Sequence, residues 1–270
     1  MKKILFILTL LITISSNAQQ NNTPYEWNWV RDGIWLGAGL GGSAYGLMLI
    51  QDKEGITIEE LNALDKNDIS GINRWAAGYN SESASSISDI PFAISFAAPF
   101  VLLFNDDIND HTGQFLGMYL ESLSTTAALF SITAGLVDKS RPYIYDENLK
   151  MDRRLSNSGQ RSFYSGHVAA SATATFFAAK VYSDYNPDAK GKFFVWAAAA
   201  AVPATVGYFR IKAGQHFLTD VLIGYGLGAA TGILVPELHK TKDASLRVSP
   251  TAGRNFLGDD YRGVAMSYTF

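Results

Sequence analysis

The chain has 270 residues, 47% of them hydrophobic, with 24 glycines and a formal net charge of −3. That length fits one large domain or two small ones, and the mild acidity leaves no basic footprint for a nucleic-acid partner. There is no cysteine, which excludes disulfides, thiolate metal sites and a thiol nucleophile.

Met1 to about Gln20 reads as a secretion signal. Lys2 and Lys3 form a basic start, Ile4–Ile14 is apolar, and Ser16-Asn17-Ala18 offers small residues for cleavage after Ala18. An uncleaved anchor is the alternative. Trp27, Trp29 and Trp35 stand at the lip of the run Gly33–Ile50, a place that suits a membrane interface or a packed core. Residues 51–85 are polar. Thr57 and Glu60 have the spacing of a capping box for a short helix through Leu64. Asn80–Ser88 reads as a serine-rich connector. Further apolar stretches follow at about Ile90–Phe104, Gly113–Val137, Val168–Tyr182, Phe193–Phe209 and Leu218–Val235. They show no period-2 alternation and have helical lengths. The expected fold class is therefore all-α, a bundle of about six helices over residues 21–240.

A bilayer-spanning helix needs about 20 predominantly apolar residues. These stretches meet that loosely, with Glu121 inside the third and Ala, Ser and Thr dominating the fourth. Mean hydropathy is +0.04. A membrane bundle and a soluble bundle both fit. Residues 241–270 differ: Val264, Met266, Tyr268 and Phe270 alternate with smaller residues, a strand pattern. Ser245–Val248 is the expected partner, with Gly258 in the connection, giving a short C-terminal β-hairpin.

Three polar stretches sit at the edges of the apolar runs. Arg210-Ile-Lys-Ala-Gly-Gln-His216-Phe-Leu-Thr-Asp220 places His216 and Asp220 on one helical face. Asp220 beside the imidazole would fix its tautomer for a nucleophile or general base. Arg210 offers a forked permanent charge to phosphate or carboxylate. In Ser162-Phe-Tyr-Ser165-Gly166-His167, Ser165 can cap the following helix, and Gly166 lets an anion approach free N–H groups. His167 is placed to protonate a leaving oxygen. Asp138-Lys139-Ser140-Arg141-Pro142 closes the third run and offers a second guanidinium. Each stretch alone reads equally as helix capping. Lys150, Arg153, Arg154 and Arg161 suit a solvated face.

Arg-Pro, then Ser-Gly-His, then Arg-x(5)-His-x(3)-Asp, in that order, resembles the type 2 phosphatidic acid phosphatase and vanadium haloperoxidase superfamily over about Ile90 to Pro236. The resemblance implies a phosphatase without metal or cofactor, acting on a phosphomonoester or pyrophosphate, most plausibly of a lipid. It makes His216 the nucleophile that forms a phosphohistidine, Asp220 the group that holds its ring, and His167 the acid. Arg141, Arg210, Ser165 and the Gly166 N–H would bind the phosphate oxygens. A haloperoxidase on the same scaffold, a non-catalytic envelope protein, and a metallohydrolase using His167, His216 and Asp220 are the rival readings. The family's lysine seven residues before the Arg-Pro arginine is Ala134 here. Lys139, about 140° further round a helix, replaces it only if that helix has ended. The family's proline before Ser-Gly-His is Tyr164, and its serine before the last arginine is Phe209.

The resemblance also implies a site facing the periplasm or outside. A cleaved signal would place residue 21 on that side, and three spanning runs would then carry Arg141 back to the cytoplasm. The expectation is a cell-envelope protein, membrane-embedded or membrane-associated, with its site facing the periplasm. Either Gly33–Ile50 does not span, or the bundle is a periplasmic globule.

Overall fold

A computed structural model describes residues 23–241, 245–254 and 260–269. The expected signal segment Met1–Ala18 and the Gly258 connection lie outside the described residues. Among the described residues, six helices dominate: α1 (Trp29–Gln51), α2 (Glu82–Ala97), α3 (Thr112–Leu136), α4 (Gly166–Tyr185), α5 (Lys192–Lys212) and α6 (Leu218–Leu238). A 3-10 segment, Ala98–Phe104, prolongs α2. The chain is thus mostly helical, as its apolar stretches predict.

Small residues decide how these helices pack. α4 is the central helix, in contact with α2, α3, α5 and α6. Its buried face is mostly alanine, serine and threonine, which lets neighbours approach closely. Gly224, Gly228 and Gly232 of α6 lie against Ser165, Ala169 and Thr173 of α4, so the two helices run parallel. A Cβ on Gly228 would sit 2.1 Å from the Ala169 carbonyl oxygen, so no larger residue fits. Gly39 and Gly46 of α1 meet Ser124 and Ser131 of α3 in the same parallel sense.

Direction along the bundle follows from these pairings. α2, α4 and α6 start at one end, where Asp89 meets His167 and Ser165 meets Asp220. α1, α3 and α5 finish there. Residue 23 and residue 241 lie at the opposite end. The Glu26 N–H donates to the His239 carbonyl at 2.7 Å, and the Thr241 N–H donates to the Pro24 carbonyl at 2.9 Å.

Five helices are long and apolar enough to cross a membrane: α1, α2 with its extension, α3, α5 and α6. Their outward faces expose Ile34, Leu40, Ile94, Leu129, Phe193 and Leu234. Such a belt suits lipid, so the chain is membrane-associated. α4 is not among the five. Enclosed by protein, it needs small and hydroxyl side chains rather than lipid-facing ones. Thr173 and Thr175 accordingly donate to the carbonyls of Gly228 and Ala199 on neighbouring helices.

Residues 52–81 and 137–165 fold over the starting end of α2, α4 and α6. The expected capping box is present: the Thr57 N–H donates to Glu60, and the Glu60 N–H donates to the Thr57 hydroxyl. The connector expected at Asn80–Ser88 is instead the first turns of α2. Ser81 caps it, accepting from the Ala84 N–H, and the Ser86 and Ser88 hydroxyls donate to carbonyls of the preceding turn. Serine satisfied within a helix in this way no longer breaks it. β1 (Ser245–Arg254) and β2 (Asp260–Thr269) pair antiparallel from Ser245↔Thr269 to Arg254↔Asp260, a longer hairpin than the alternation suggests.

Candidate active site

The three motif stretches meet at the covered end of the bundle. α5 ends in Arg210 and Lys212, and Gly214 then turns the chain with φ +68°. A Cβ at Gly214 would fall 1.7 Å from the Tyr79 carbonyl oxygen, so glycine is required on both grounds. The Gly214 carbonyl accepts from the Tyr143 N–H at 3.0 Å, tying this turn to the Arg-Pro stretch.

His216 follows and is buried. Its Nδ1 lies 2.7 Å from the Ser162 carbonyl oxygen. A carbonyl only accepts, so the ring proton sits on Nδ1 and Nε2 keeps its lone pair. Burial holds the His216 pKa well below the ordinary value, and the positive charges of Arg141 and Arg210 push it the same way. The imidazole is therefore neutral at pH 7, as a nitrogen nucleophile must be.

His167 is the second residue of α4 and is partly exposed. Its Nε2 is 3.6 Å from Asp89 Oδ1, and its ring packs on Phe92 at 4.3 Å between centroids. Burial and then Arg210 lower its pKa to about 4, while Asp89 works against them. The charges of Arg141 and Arg210 thus lower the pKa of both imidazoles.

Arg141 donates to Gln215 Oε1 and, through Nε, to the Arg161 carbonyl at 3.3 Å. Arg210 is buried, and its Nε has no partner. The Ser165 hydroxyl is buried without a partner too. Unsatisfied buried donors are costly, and an oxyanion between the end of α5 and the head of α4 would satisfy both.

Several sequence expectations need correction. Asp220 does not hold the His216 ring. Its carboxylate takes a hydrogen bond from Lys139 Nζ at 2.6 Å, from Ser162 Oγ at 2.7 Å and from the Phe217 N–H at 3.0 Å. It therefore steadies Ser162, whose carbonyl holds the ring. Lys139 is not left free for a phosphate: α3 has ended at Leu136, and the ammonium is paired with the Asp220 carboxylate. Ser165 occupies the N-cap position of α4 but makes no side-chain cap bond. At Gly166, the space a Cβ would need belongs to the Phe130 ring, 2.7 Å away, so packing rather than open access requires glycine. The metal set His167, His216 and Asp220 fails because Asp220 turns to Lys139 and Ser162.

Ala134 is buried, and its carbonyl accepts from Lys53 Nζ at 3.1 Å. Lys53 also donates to the Val137 carbonyl and pairs with Asp138, so it caps α3. Ser162, Gln215, Asp89 and Arg161 were not visible as site residues. Ser162 and Arg161 serve through backbone carbonyls, which no side-chain motif announces. Gln215 and Asp89 carry no spacing signal.

Residues 115–244 match the PAP2 superfamily, a span that contains all three motif stretches. The lipid A 4'-phosphatase of Porphyromonas gingivalis is 30% identical over 81 residues, 30% of this chain and 31% of that protein. The chain thus matches less than a third of that relative's length. A transmembrane PAP2-type phosphatidylglycerolphosphate phosphatase from Bacillus subtilis is a solved structure that aligns with 87% of this chain and 92% of its own, at 22% identity and a TM-score of 0.39.

Proposed function

Residues 115–244 belong to the PAP2 superfamily, and on that premise we propose that this chain is a phosphatase for a phosphomonoester or pyrophosphate carried by a lipid. The observation that carries the reading is the neutral His216. Its Nδ1–H is held by the Ser162 carbonyl, and burial with the charges of Arg141 and Arg210 keeps its pKa low.

Arg141, Arg210, the Ser165 hydroxyl and the Gly166 N–H bind the phosphate oxygens. His216 Nε2 attacks phosphorus, the bond to the leaving oxygen breaks, and His167 gives that oxygen its proton. Water then attacks the phosphohistidine, with His167 taking the proton back. No metal takes part in either step, because two fixed guanidiniums carry the charge that grows on the oxygens. The apolar belt supports a lipid substrate: it keeps the covered end of the bundle at the level of head groups.

A periplasmic site suits such a substrate, and the fold sets a condition on it. Residue 23 and the site lie at opposite ends of the bundle. For a bundle that spans the bilayer, a cleaved signal after Ala18 and a periplasmic site exclude each other. Single cysteines at Ser70 and Asp188, in a chain with no native cysteine, report the two faces by membrane-impermeant labelling. Labelling of Ser70→Cys from outside supports the periplasmic site, and labelling of Asp188→Cys alone overturns it.

The activity test is phosphate release from a panel of lipid and soluble phosphates, in short assays with chelator, comparing wild type with His216→Ala. Release by wild type alone supports the reading. Turnover by His216→Ala sinks it. Bromide oxidation with peroxide and vanadate would indicate the haloperoxidase, and failure to bind vanadate would indicate a non-catalytic envelope protein.

A further inference from the structure

The opposite end of the bundle holds a second buried polar cluster. Asp32 from the first turn of α1, Glu121 from the middle of α3 and His239 just past α6 are all buried. One donor atom from each lies within 4.8 Å of the others. His239 Nε2 is 3.1 Å from Glu121 Oε2 and 3.5 Å from Asp32 Oδ1. By helix rise alone, the length of α6 puts this cluster roughly 30 Å from the phosphate site.

The tautomer of His239 poses the problem. Its Nδ1 lies 2.8 Å from the Val235 carbonyl oxygen, so Nδ1 carries the proton. Nε2 then turns its lone pair on two carboxylates. Neither Glu121 oxygen has a hydrogen-bond partner, and neither has His239 Nε2. Trp27 and Trp35 stack on the imidazole at 5.9 and 6.0 Å and cover it. Electron-rich groups facing one another out of contact with water need a cation between them.

A proton and a metal ion are the two candidates. Asp32 is already served by Arg31 and by the Asn28 N–H. A second proton on His239 would satisfy Glu121 Oε2 and leave Oε1 bare. An ion bound by both oxygens leaves neither bare. In a tetrahedral zinc site with ligands at about 2.0–2.2 Å, donor atoms stand roughly 3.3–3.6 Å apart. The two separations from His239 Nε2 are close to that. An Nδ1–H held by a carbonyl is also how metal-bound imidazoles are oriented, and Arg31 Nε and the Asn28 N–H hold the Asp32 carboxylate in place, Arg31 on the Oδ1 that faces His239.

We propose that Asp32, Glu121 and His239 bind one divalent transition-metal ion, zinc by donor set and spacing. The ion fastens the start of α1 to α3 and to the end of α6. It serves the fold and takes no part in phosphate chemistry.

The test uses full-length protein in detergent, stripped of metal and titrated with Co²⁺ and then Zn²⁺. One equivalent of Co²⁺ per chain is expected, with the visible bands of a four-coordinate site that zinc abolishes. Zinc should also raise Tm. Glu121→Gln and His239→Gln should lose the equivalent, and His216→Ala should keep it while losing phosphatase activity. A wild-type chain that binds no equivalent of either ion overturns the proposal. So does binding that survives Glu121→Gln but not His216→Ala. Should the variants fail to fold, X-ray absorption of zinc-loaded wild type decides: one imidazole with oxygen donors supports the site, and two imidazoles overturn it.

Discussion

The two ends of the bundle solve the same problem differently. At each, side chains far apart in sequence converge out of water around an imidazole whose Nδ1–H is held by a backbone carbonyl. At the covered end the surroundings of His216 are cationic, with Arg141 and Arg210 acting on the ring. At the other end His239 faces Asp32 and Glu121. One end is prepared for an anion and the other for a cation. A buried ring takes its task from the charge around it, so each end should answer to a different ligand.

The sharpest way to break the comparison is at the rings themselves. His216→Ala should cut phosphate release by at least about 10⁴-fold, since removing a covalent nucleophile costs on that order. Zinc binding should stay intact. A fall of less than tenfold would mean that the covered end is not organised around this imidazole.

The guanidiniums come next. Arg210→Lys keeps the charge and loses the planar fork, so kcat/KM should drop by about 10²–10³-fold. The variant should still fold, because Arg210 Nε has no protein partner to leave behind. Vanadate affinity should fall in parallel. Unchanged vanadate binding would remove Arg210 from the anion site.

Asp220 separates a ring partner from a scaffold. Asp220→Asn leaves Lys139 without its counter-ion and should cost about 1–3 kcal/mol of stability, because Asp220 is buried while Lys139 stays partly in water. Ser162→Ala removes the hydroxyl that Asp220 holds but keeps the carbonyl that His216 uses. It should cost about 1 kcal/mol and slow turnover by less than tenfold. If Ser162→Ala were instead as slow as Asp220→Asn with normal Tm, the hydroxyl itself would be part of the chemistry.

Ser165→Ala has a smaller and differently signed effect. No protein group satisfies that hydroxyl, so Tm should stay level or rise slightly. Activity should fall roughly tenfold through the loss of one oxyanion donor. Loss of stability with unchanged activity would make the serine structural.

The charge contrast also explains what the sequence could reveal. The covered end was legible because helix starts and stops concentrate its residues: Arg141 before a proline, Ser165-Gly166-His167 at the head of α4, and Arg210 and His216 around the Gly214 turn. The helical apolar runs and the alternation from Val264 were legible by period alone. Asp220 misled because one helical face does not fix what a carboxylate touches. Lys139 and Ser162 reached it first from another segment. The serines at Ser81–Ser88 misled because their hydroxyls bond back to helix carbonyls. The far cluster stayed hidden for a simpler reason. Asp32, Glu121 and His239 belong to α1, α3 and the residue after α6 with no mutual spacing, and only the packing of α1 and α6 on α3 joins them.

The mildest test concerns the pH profile, where the two imidazoles of the covered end differ in sign. His216 must be neutral to attack, so kcat/KM rises with pH through its depressed pKa, well below 6.5. His167 must be protonated to act as the acid. In the free protein its pKa is about 4, so kcat/KM falls as pH rises above that value. Asp89 lifts this pKa. Asp89→Asn should therefore move the falling limb to lower pH and reduce kcat/KM near neutrality by a few-fold, the size expected of a partly exposed pair at 3.6 Å. The rising limb should not move, because the Asp89 carboxylate is paired with His167 rather than with His216. A shift of the rising limb alone would exchange the roles of the two imidazoles. A profile unmoved on both sides would detach Asp89 from His167.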